Sequence, residues 1–319
     1  MKITILDRNT VTAGDLSLAP IEALGEVRIF DALPHDAVAD AIADSDAVII
    51  NKARITAEIM DACKNLRFIG LFATGYNNVD TAAARARGID VCNVPGYSTD
   101  SVAQHVFAMM LHFASRADDY AASVASGSWV TAKTFSYFAF PTTELSGKTL
   151  GIFGLGTIGR AIAKIACAFG MRVIATARRP SVCMLPEGVT LVSFDELLRQ
   201  SDYLTLHCPL TDETRRLIDE DALNRMKPTA VLINTARGAV VDEQALADAL
   251  NEGRLRGAGI DVLEEEPMRA EHPYLTAKNC YVTPHVAWAT IEARTRLVEI
   301  VSENLRAFAD GKPIHVVNP

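Results

Sequence analysis

The chain has 319 residues, 49% of them apolar and 22% charged, with a formal net charge of −8. That length suits two domains better than one, and the acidic balance argues against nucleic acid or an anionic membrane as a main partner. No apolar run reaches membrane-spanning length. The first residues, MKITILDRN, enter a strand pattern with no secretory leader, so a cytoplasmic location is expected. Cys63, Cys92, Cys167, Cys183, Cys208 and Cys280 form no Cys-x-x-Cys pair and read as reduced core thiols, with no metal site expected.

Strand-like apolar runs at 2–6, 27–30, 47–50, 68–72 and 89–92 alternate with helical stretches near 21–24, 37–43, 57–63 and 81–87, the last closed by Gly88. This alternation predicts a parallel, doubly wound α/β sheet, whose ligands bind beyond the carboxyl ends of the strands. The turn after the fourth strand, with Ala73, Thr74, Gly75, Tyr76, Asn77 and Asn78, can expose backbone N–H groups to a carboxylate. It reads equally well as an ordinary turn before the next helix. Pro95 and Gly96 suit a crossing between domains, and Ser98, Thr99, Asp100 and Ser101 offer N-caps to one long helix expected over 102 to about 126. Residues 127–146 break the pattern. Their aromatic stretch at 134–140 is expected to pack on a subunit partner, the alternative being an arm folded on its own domain.

A short strand at 149–153 then runs into Gly154-Leu155-Gly156-Thr157-Ile158-Gly159, and an alanine-rich helix follows to Phe169 and Gly170. This is Gly-x-Gly-x-x-Gly between strand and helix, the dinucleotide-binding pattern. The glycines allow a tight turn, close approach of a pyrophosphate, and close packing of helix on strand. Strands follow at 172–176, 189–192, 203–207, 230–234, 257–262 and 280–283, with helices such as 194–200 and 243–251 between them. The pattern predicts a seven-strand doubly wound sheet. A final helix at 290–310 is expected to return to the first domain, leaving a cleft crossed twice as the active-site candidate.

NAD enzymes place Asp or Glu at the end of the second strand to bind the ribose 2′-hydroxyl. Here residues 175–181 carry no carboxylate, and Arg178 and Arg179 stand beside the expected position. Guanidinium binds a 2′-phosphate, so NADP(H) is the preferred cofactor. The alternative is NAD(H) beside two solvated arginines.

Three residues at predicted strand ends could do chemistry. His285, after Pro284, is the best placed of seven histidines for acid–base work. Glu266 could bond its imidazole and fix the tautomer. Arg237 could clamp a carboxylate and polarise a carbonyl. Each alone also reads as a structural histidine, a solvated acidic turn or a surface cation. Together they lie at carboxyl ends of one sheet.

The motifs GLGTIGR, HCPLTDETR, MKPTAVLINTARGAVVDEQAL, AGIDVLEEEP and TPHVAWAT resemble the D-isomer-specific 2-hydroxyacid dehydrogenases, nearly continuously from about residue 46 to 319. ATGYNNVD, NVPGYSTDSVAQHVFAMML and NLRAFADGKPIHVVNP resemble the glycerate dehydrogenase, or hydroxypyruvate/glyoxylate reductase, branch. The resemblance implies a Rossmann cofactor domain, 101–287, inserted into a flavodoxin-like substrate domain, 1–100 and 288–319. It implies Arg237, Glu266 and His285 as catalytic residues, and Ala73, Thr74, Gly75 and Tyr76 as the loop for the substrate carboxylate, together with Arg237 and His285. Val102, Thr235, Asp261 and Trp288 correspond to contacts on the nicotinamide side, and His207, Cys208 and Pro209 to the adenosine side. It further implies a homodimer through the cofactor domains, which suits the 127–146 arm. The departure is Ala177, where many relatives carry Asp, in agreement with the arginine argument. The expected activity is NAD(P)H-dependent reduction of small 2-keto acids, glyoxylate or hydroxypyruvate, to D-2-hydroxy acids. Phosphite and formate dehydrogenases share the scaffold, but they resemble this chain less at Thr74 and Glu266. A dinucleotide-sensing corepressor on the same fold is the rival of another class.

Overall fold

Strands β1 (Lys2–Ile5), β2 (Glu26–Ile29), β3 (Ala47–Ile50), β4 (Phe68–Leu71) and β5 (Asp90–Cys92) form a sheet in the order β2-β1-β3-β4-β5, with every pairing parallel. Helices α1 (Ala19–Glu22), α2 (Val38–Ile42), α3 (Ala57–Ala62) and α4 (Thr81–Ala86) connect them. The period of two along a strand sends alternate side chains to opposite faces. Ala47 and Ile49 of β3 pack with Ile21 of α1 and with Leu297 and Val301 of the last helix, whereas Val48 and Ile50 pack with Ile42, Ile59 and Ala84 of α2, α3 and α4. With both faces covered, β3 and β4 are buried at every residue, which is why they read as continuous apolar runs. The strand order is that of flavodoxin-like sheets, which place ligands at the β1/β3 switch point.

The structure is a computed structural model that describes residues 1–178 and 185–319. It divides into one unit of Met1–Ser98 with Trp288–Pro319 and a second of Thr99–Ala287. The second unit contains α5 (Thr99–Ser115), α6 (Ala117–Ala125), β6 (Thr149–Phe153), α7 (Thr157–Ala168), β7 (Arg172–Thr176), β8 (Val189–Leu191), α8 (Phe194–Gln200) and β9 (Tyr203–Leu206). It continues with α9 (Glu220–Arg225), β10 (Val231–Asn234), α10 (Glu243–Asn251), β11 (Gly257–Ile260) and β12 (Cys280–Val282), and α11 (Ile291–Ala309) belongs to the first unit. The second sheet is parallel in the order β12-β11-β10-β9-β6-β7-β8. Its crossover between β6 and β9 is the Rossmann switch point. Helices α5 and α7 cover the face of Leu150, Ile152 and Val231, and α8, α9 and α10 cover the face of Leu204, Leu206 and Leu232.

The structure corrects the sequence reading in three places. Several strands stop one or two residues early, as at Ile5, Leu71, Leu206 and Ile260, although the next N–H still bonds the neighbouring strand, Leu6 to the Ile49 carbonyl, Phe72 to Ile50, His207 to Phe153 and Asp261 to Asn234. The single helix expected over 102–126 is two helices. Arg116 lies between them at φ 51°, in the left-handed region, ion-paired to Asp119 and 5.6 Å from the Phe140 ring centroid. Tertiary packing sustains helices of this length, and α5 buries nine residues where α6 buries none, so the apolar stripe ends at the break. The third difference is the segment after α11, which pairs with β5. Val316 bridges Cys92, Val317 N–H donates to the Val91 carbonyl at 2.8 Å, and Asn318 accepts from Val91 N–H and donates to the Ile89 carbonyl, both at 2.9 Å.

Asn318 is 8% exposed and satisfies two backbone groups at the sheet edge. Asn318→Ala leaves both without their partner, and we expect about 2 kcal/mol of lost stability in urea unfolding, with the m-value unchanged.

Candidate active site

Gly154 turns the chain out of β6 at φ +100°. A Cβ there would stand 2.6 Å from the His207 carbonyl oxygen, and one at Gly159 would stand 2.4 Å from the carbonyl oxygen of Gly154. Only glycine lets β6, α7 and the segment after β9 pack this closely. A Cβ at Gly156 would meet no protein atom within 4 Å, so the space beside it is open. Helices α3, α4, α8, α9, α10 and α11 each begin with a Ser, Thr or Asp side chain bonded to a first-turn N–H. Helix α7 begins at Gly156 with no side-chain cap and no acidic residue in its first turn, which contains Thr157, Ile158 and Gly159. Uncapped N–H groups, the positive end of the helix dipole and an open cradle fit a pyrophosphate.

The adjoining strand ends carry the expected adenosine-side residues. After β7 come half-buried Ala177 and exposed Arg178, with no carboxylate, while Arg179 lies outside the described residues. After β9 come His207, Cys208 and Pro209. The Thr205 hydroxyl bonds His207 Nε2 at 2.8 Å, and burial of the imidazole lowers its pKa to about 3, which keeps the ring neutral. Burial likewise pushes the Cys208 thiol up to about 11, so it stays protonated.

Arg237, Glu266 and His285 follow β10, β11 and β12, three neighbours in the sheet. Asn234 sets the Arg237 turn by donating from Nδ2 to the Arg237 carbonyl at 2.9 Å and accepting from Ala236 N–H at 3.0 Å. The Arg237 side chain is exposed, and its Nη1 donates to the Ala236 carbonyl at 2.7 Å. Gly238 is buried against the next turn, where a Cβ would fall 1.8 Å from the Leu263 carbonyl carbon. The turns bearing Arg237 and Glu266 are therefore in backbone contact. Glu266 accepts Leu263 N–H on Oε1 at 3.0 Å, and its Oε2 lies 2.7 Å from His285 Nδ1. The two side chains are 32% and 30% exposed, so the pair is sheltered yet open to a small molecule. A carboxylate on Nδ1 fixes the orientation and tautomer of the imidazole.

His285 sits at φ 55°, and its N–H bonds the Asp261 and Thr283 carbonyls. The Asp261 carboxylate holds this shape. It is 2% exposed and accepts from the Thr283 hydroxyl at 2.5 Å and from the N–H groups of Val286 and Ala287 at 2.9 Å each. The Thr283 hydroxyl, spent as a donor on Asp261, accepts from His105 Nε2 at 3.0 Å, and Ser101 donates to the Ala287 carbonyl at 2.6 Å. Sequence reasoning missed Thr283, His105 and Ser101, because nothing local marks residues that meet across nearly 180 positions. Of the nicotinamide-side expectations, Val102 is buried in α5, and Thr235 has a buried hydroxyl with no hydrogen-bond partner among the described residues. Such an orphan next to Arg237 fits a polar ligand. Trp288 belongs to the first unit, edge-on to Tyr97 with ring centroids 6.2 Å apart. The Ala73–Tyr76 turn also belongs to the first unit. There Thr74 donates to the Val94 carbonyl at 2.7 Å, and no hydrogen bond within that unit uses the N–H of Thr74, Gly75 or Tyr76.

Asp261→Asn keeps the volume but, whichever way the amide turns, sets an N–H₂ against one of the two backbone N–H groups. We expect about 2–4 kcal/mol of lost stability from breaking this charged network. Turnover should fall while dinucleotide affinity, measured by fluorescence titration, holds.

The D-isomer specific 2-hydroxyacid dehydrogenase NAD-binding domain model matches residues 107–287. A hydroxypyruvate reductase of Blautia hydrogenotrophica is 40% identical over 321 residues, covering 100% of each chain. A glycerate dehydrogenase of Methylorubrum extorquens is 38% identical, covering 99% of this chain and 98% of its own. An NADPH-dependent glyoxylate/hydroxypyruvate reductase of Sinorhizobium meliloti, solved with NADP and malonate, superimposes with a TM-score of 0.83 at 31% identity, covering 99% of this chain and 96% of its own. The glycine loop, the Arg–Glu–His strand ends and these full-length likenesses agree: the chain belongs to the D-isomer-specific 2-hydroxyacid dehydrogenase family.

Proposed function

We propose that this dehydrogenase reduces small 2-keto acids, glyoxylate and hydroxypyruvate among them, to D-2-hydroxy acids, with NADP(H) preferred over NAD(H). The observation that carries the reading is the 2.7 Å pair of Glu266 and His285, with Arg237 on the adjoining turn. The names of the relatives support the substrate class. When bound, the dihydronicotinamide supplies the hydride. Arg237 binds the substrate carboxylate and polarises the neighbouring carbonyl. Backbone N–H groups of the Ala73–Tyr76 turn are assigned to the carboxylate as well. His285, held through Nδ1, donates a proton from Nε2 to the carbonyl oxygen, and Glu266 stabilises the imidazolium before that transfer. The uncapped α7 N-terminus and the open cradle at Gly156 hold the pyrophosphate.

The NADP preference rests on the missing carboxylate at Ala177 and on exposed Arg178. A homodimer through the second unit is part of the proposal. What supports it is that Phe135 and Phe138 of the 127–146 arm are 90% and 92% exposed, large apolar side chains that a partner could cover.

The test is oxidation of NADPH and of NADH with glyoxylate, hydroxypyruvate and pyruvate. The expected result is turnover with a higher kcat/KM for NADPH. Arg178→Glu should raise the KM for NADPH about ten-fold and leave that for NADH nearly unchanged. Binding of either dinucleotide without turnover of any 2-keto acid would instead support a sensing protein.

A further inference from the structure

We infer that Asp7 and Asn78 are positioning residues for the substrate carboxylate, acting through the segment that leaves β3; the inference rests on the proposed role of the Ala73–Tyr76 turn. Asp7 follows β1, the strand between β2 and β3 at the switch point of the first sheet, and is 4% exposed. Its neighbour Arg8 pairs with Asp31. The Asp7 carboxylate accepts from three successive backbone N–H groups: Asn51 at 2.9 and 3.0 Å, Lys52 at 2.5 Å and Ala53 at 2.8 Å. A buried carboxylate is stabilised by such a set of donors, and the donors are fixed in return. Asn51 closes the arrangement by donating from Nδ2 to the Thr10 hydroxyl at 3.0 Å, while that hydroxyl donates to the Asp7 carbonyl at 2.7 Å.

The peptide groups whose N–H groups bind Asp7 alternate with carbonyls that bind Asn78. Asn78 Nδ2 donates to the carbonyls of Asn51 at 3.2 Å and Ala53 at 2.8 Å, and its own carbonyl accepts Ile55 N–H at 2.9 Å. Asn78 lies two residues beyond Tyr76, whose carbonyl accepts Val79 N–H at 3.1 Å. The other end of the turn is pinned separately. Val94 N–H donates to the Ala73 carbonyl at 2.9 Å, and Asn93 Nδ2 donates to the Thr74 carbonyl at 2.7 Å. Carbonyls and side chains at both ends thus anchor the turn, and the N–H groups of Thr74, Gly75 and Tyr76 stay outside these bonds. The Asp7-to-Asn78 relay sets one end of the row of donors that the carboxylate meets. Its loss weakens ground-state and transition-state binding alike, so KM rises and kcat persists.

The experiment uses the full-length enzyme with Asn78→Ala, Asp7→Asn and the double variant. The readouts are kcat, KM for glyoxylate, KM for NADPH, inhibition by oxamate (a non-reduced keto-acid mimic) and Tm. KM for glyoxylate and the oxamate inhibition constant should rise together by about ten-fold in each single variant, with kcat within about two-fold of wild type and the NADPH KM unchanged. Because both residues act through one segment, the double variant should lose little more than the worse single variant. An unchanged glyoxylate KM in Asn78→Ala, or kcat falling in step with Tm, overturns the inference. If Asp7→Asn does not fold, Asn78→Ala alone decides, with partial recovery expected in Asn78→Gln. A wild-type enzyme that neither reduces glyoxylate nor is inhibited by oxamate overturns the functional reading itself, and this inference with it.

Discussion

The buried carboxylate of Asp261 is where the second sheet becomes a site. Its two oxygens accept one hydroxyl and two backbone N–H groups from the segment that carries His285, a residue held at positive φ. Left-handed backbone is costly for a side chain with a Cβ, and such residues persist where the surroundings over-determine them. Asp261 sits at the end of β11 and His285 just after β12, so the parallel pairing of the two strands brings the carboxylate to this segment. Glu266, delivered by the turn after β11, then takes the imidazole. Gly238 lets the Arg237 turn lie against the Glu266 turn with no side chain between. The proposed chemistry would therefore depend on buried hydrogen bonds and one close backbone approach as well as on Arg237, Glu266 and His285.

The first unit uses the same device. Asp7, just after β1, gathers three N–H groups from the segment after β3, and Asn78 passes that order to the next turn. In both units a buried aspartate at the carboxyl edge of a parallel sheet gathers the backbone N–H groups of a neighbouring turn. The edge suits this role, because strands end there with N–H groups that no ladder satisfies.

Much of this was legible in the sequence. The glycine spacing marked the turn and close packing at Gly154 and Gly159, because steric demands leave only one residue type. Strands such as β3 and β4 were legible because burial on both faces makes them wholly apolar. Arg237, Glu266 and His285 stood out as reactive types at strand ends. The supports were not legible: Asp7 meets Asn51 across 44 residues and Ser101 meets Ala287 across 186, with no local pattern to mark either. The break at Arg116 was hidden too, since an arginine in the left-handed region carries no sequence signal. The pairing of 316–318 with β5 was missed because three residues are too few to show a period. Arg179 falls outside the described residues, which leaves Ala177 and Arg178 as the described residues at the expected ribose position.

The central claim is that His285 moves the proton. The most direct measurement compares wild type and His285→Gln for kcat with glyoxylate and for the Kd of NADPH by fluorescence titration. The account predicts that kcat falls about a hundred-fold or more while the Kd is unchanged. A variant that retains kcat within a few-fold of wild type would contradict it.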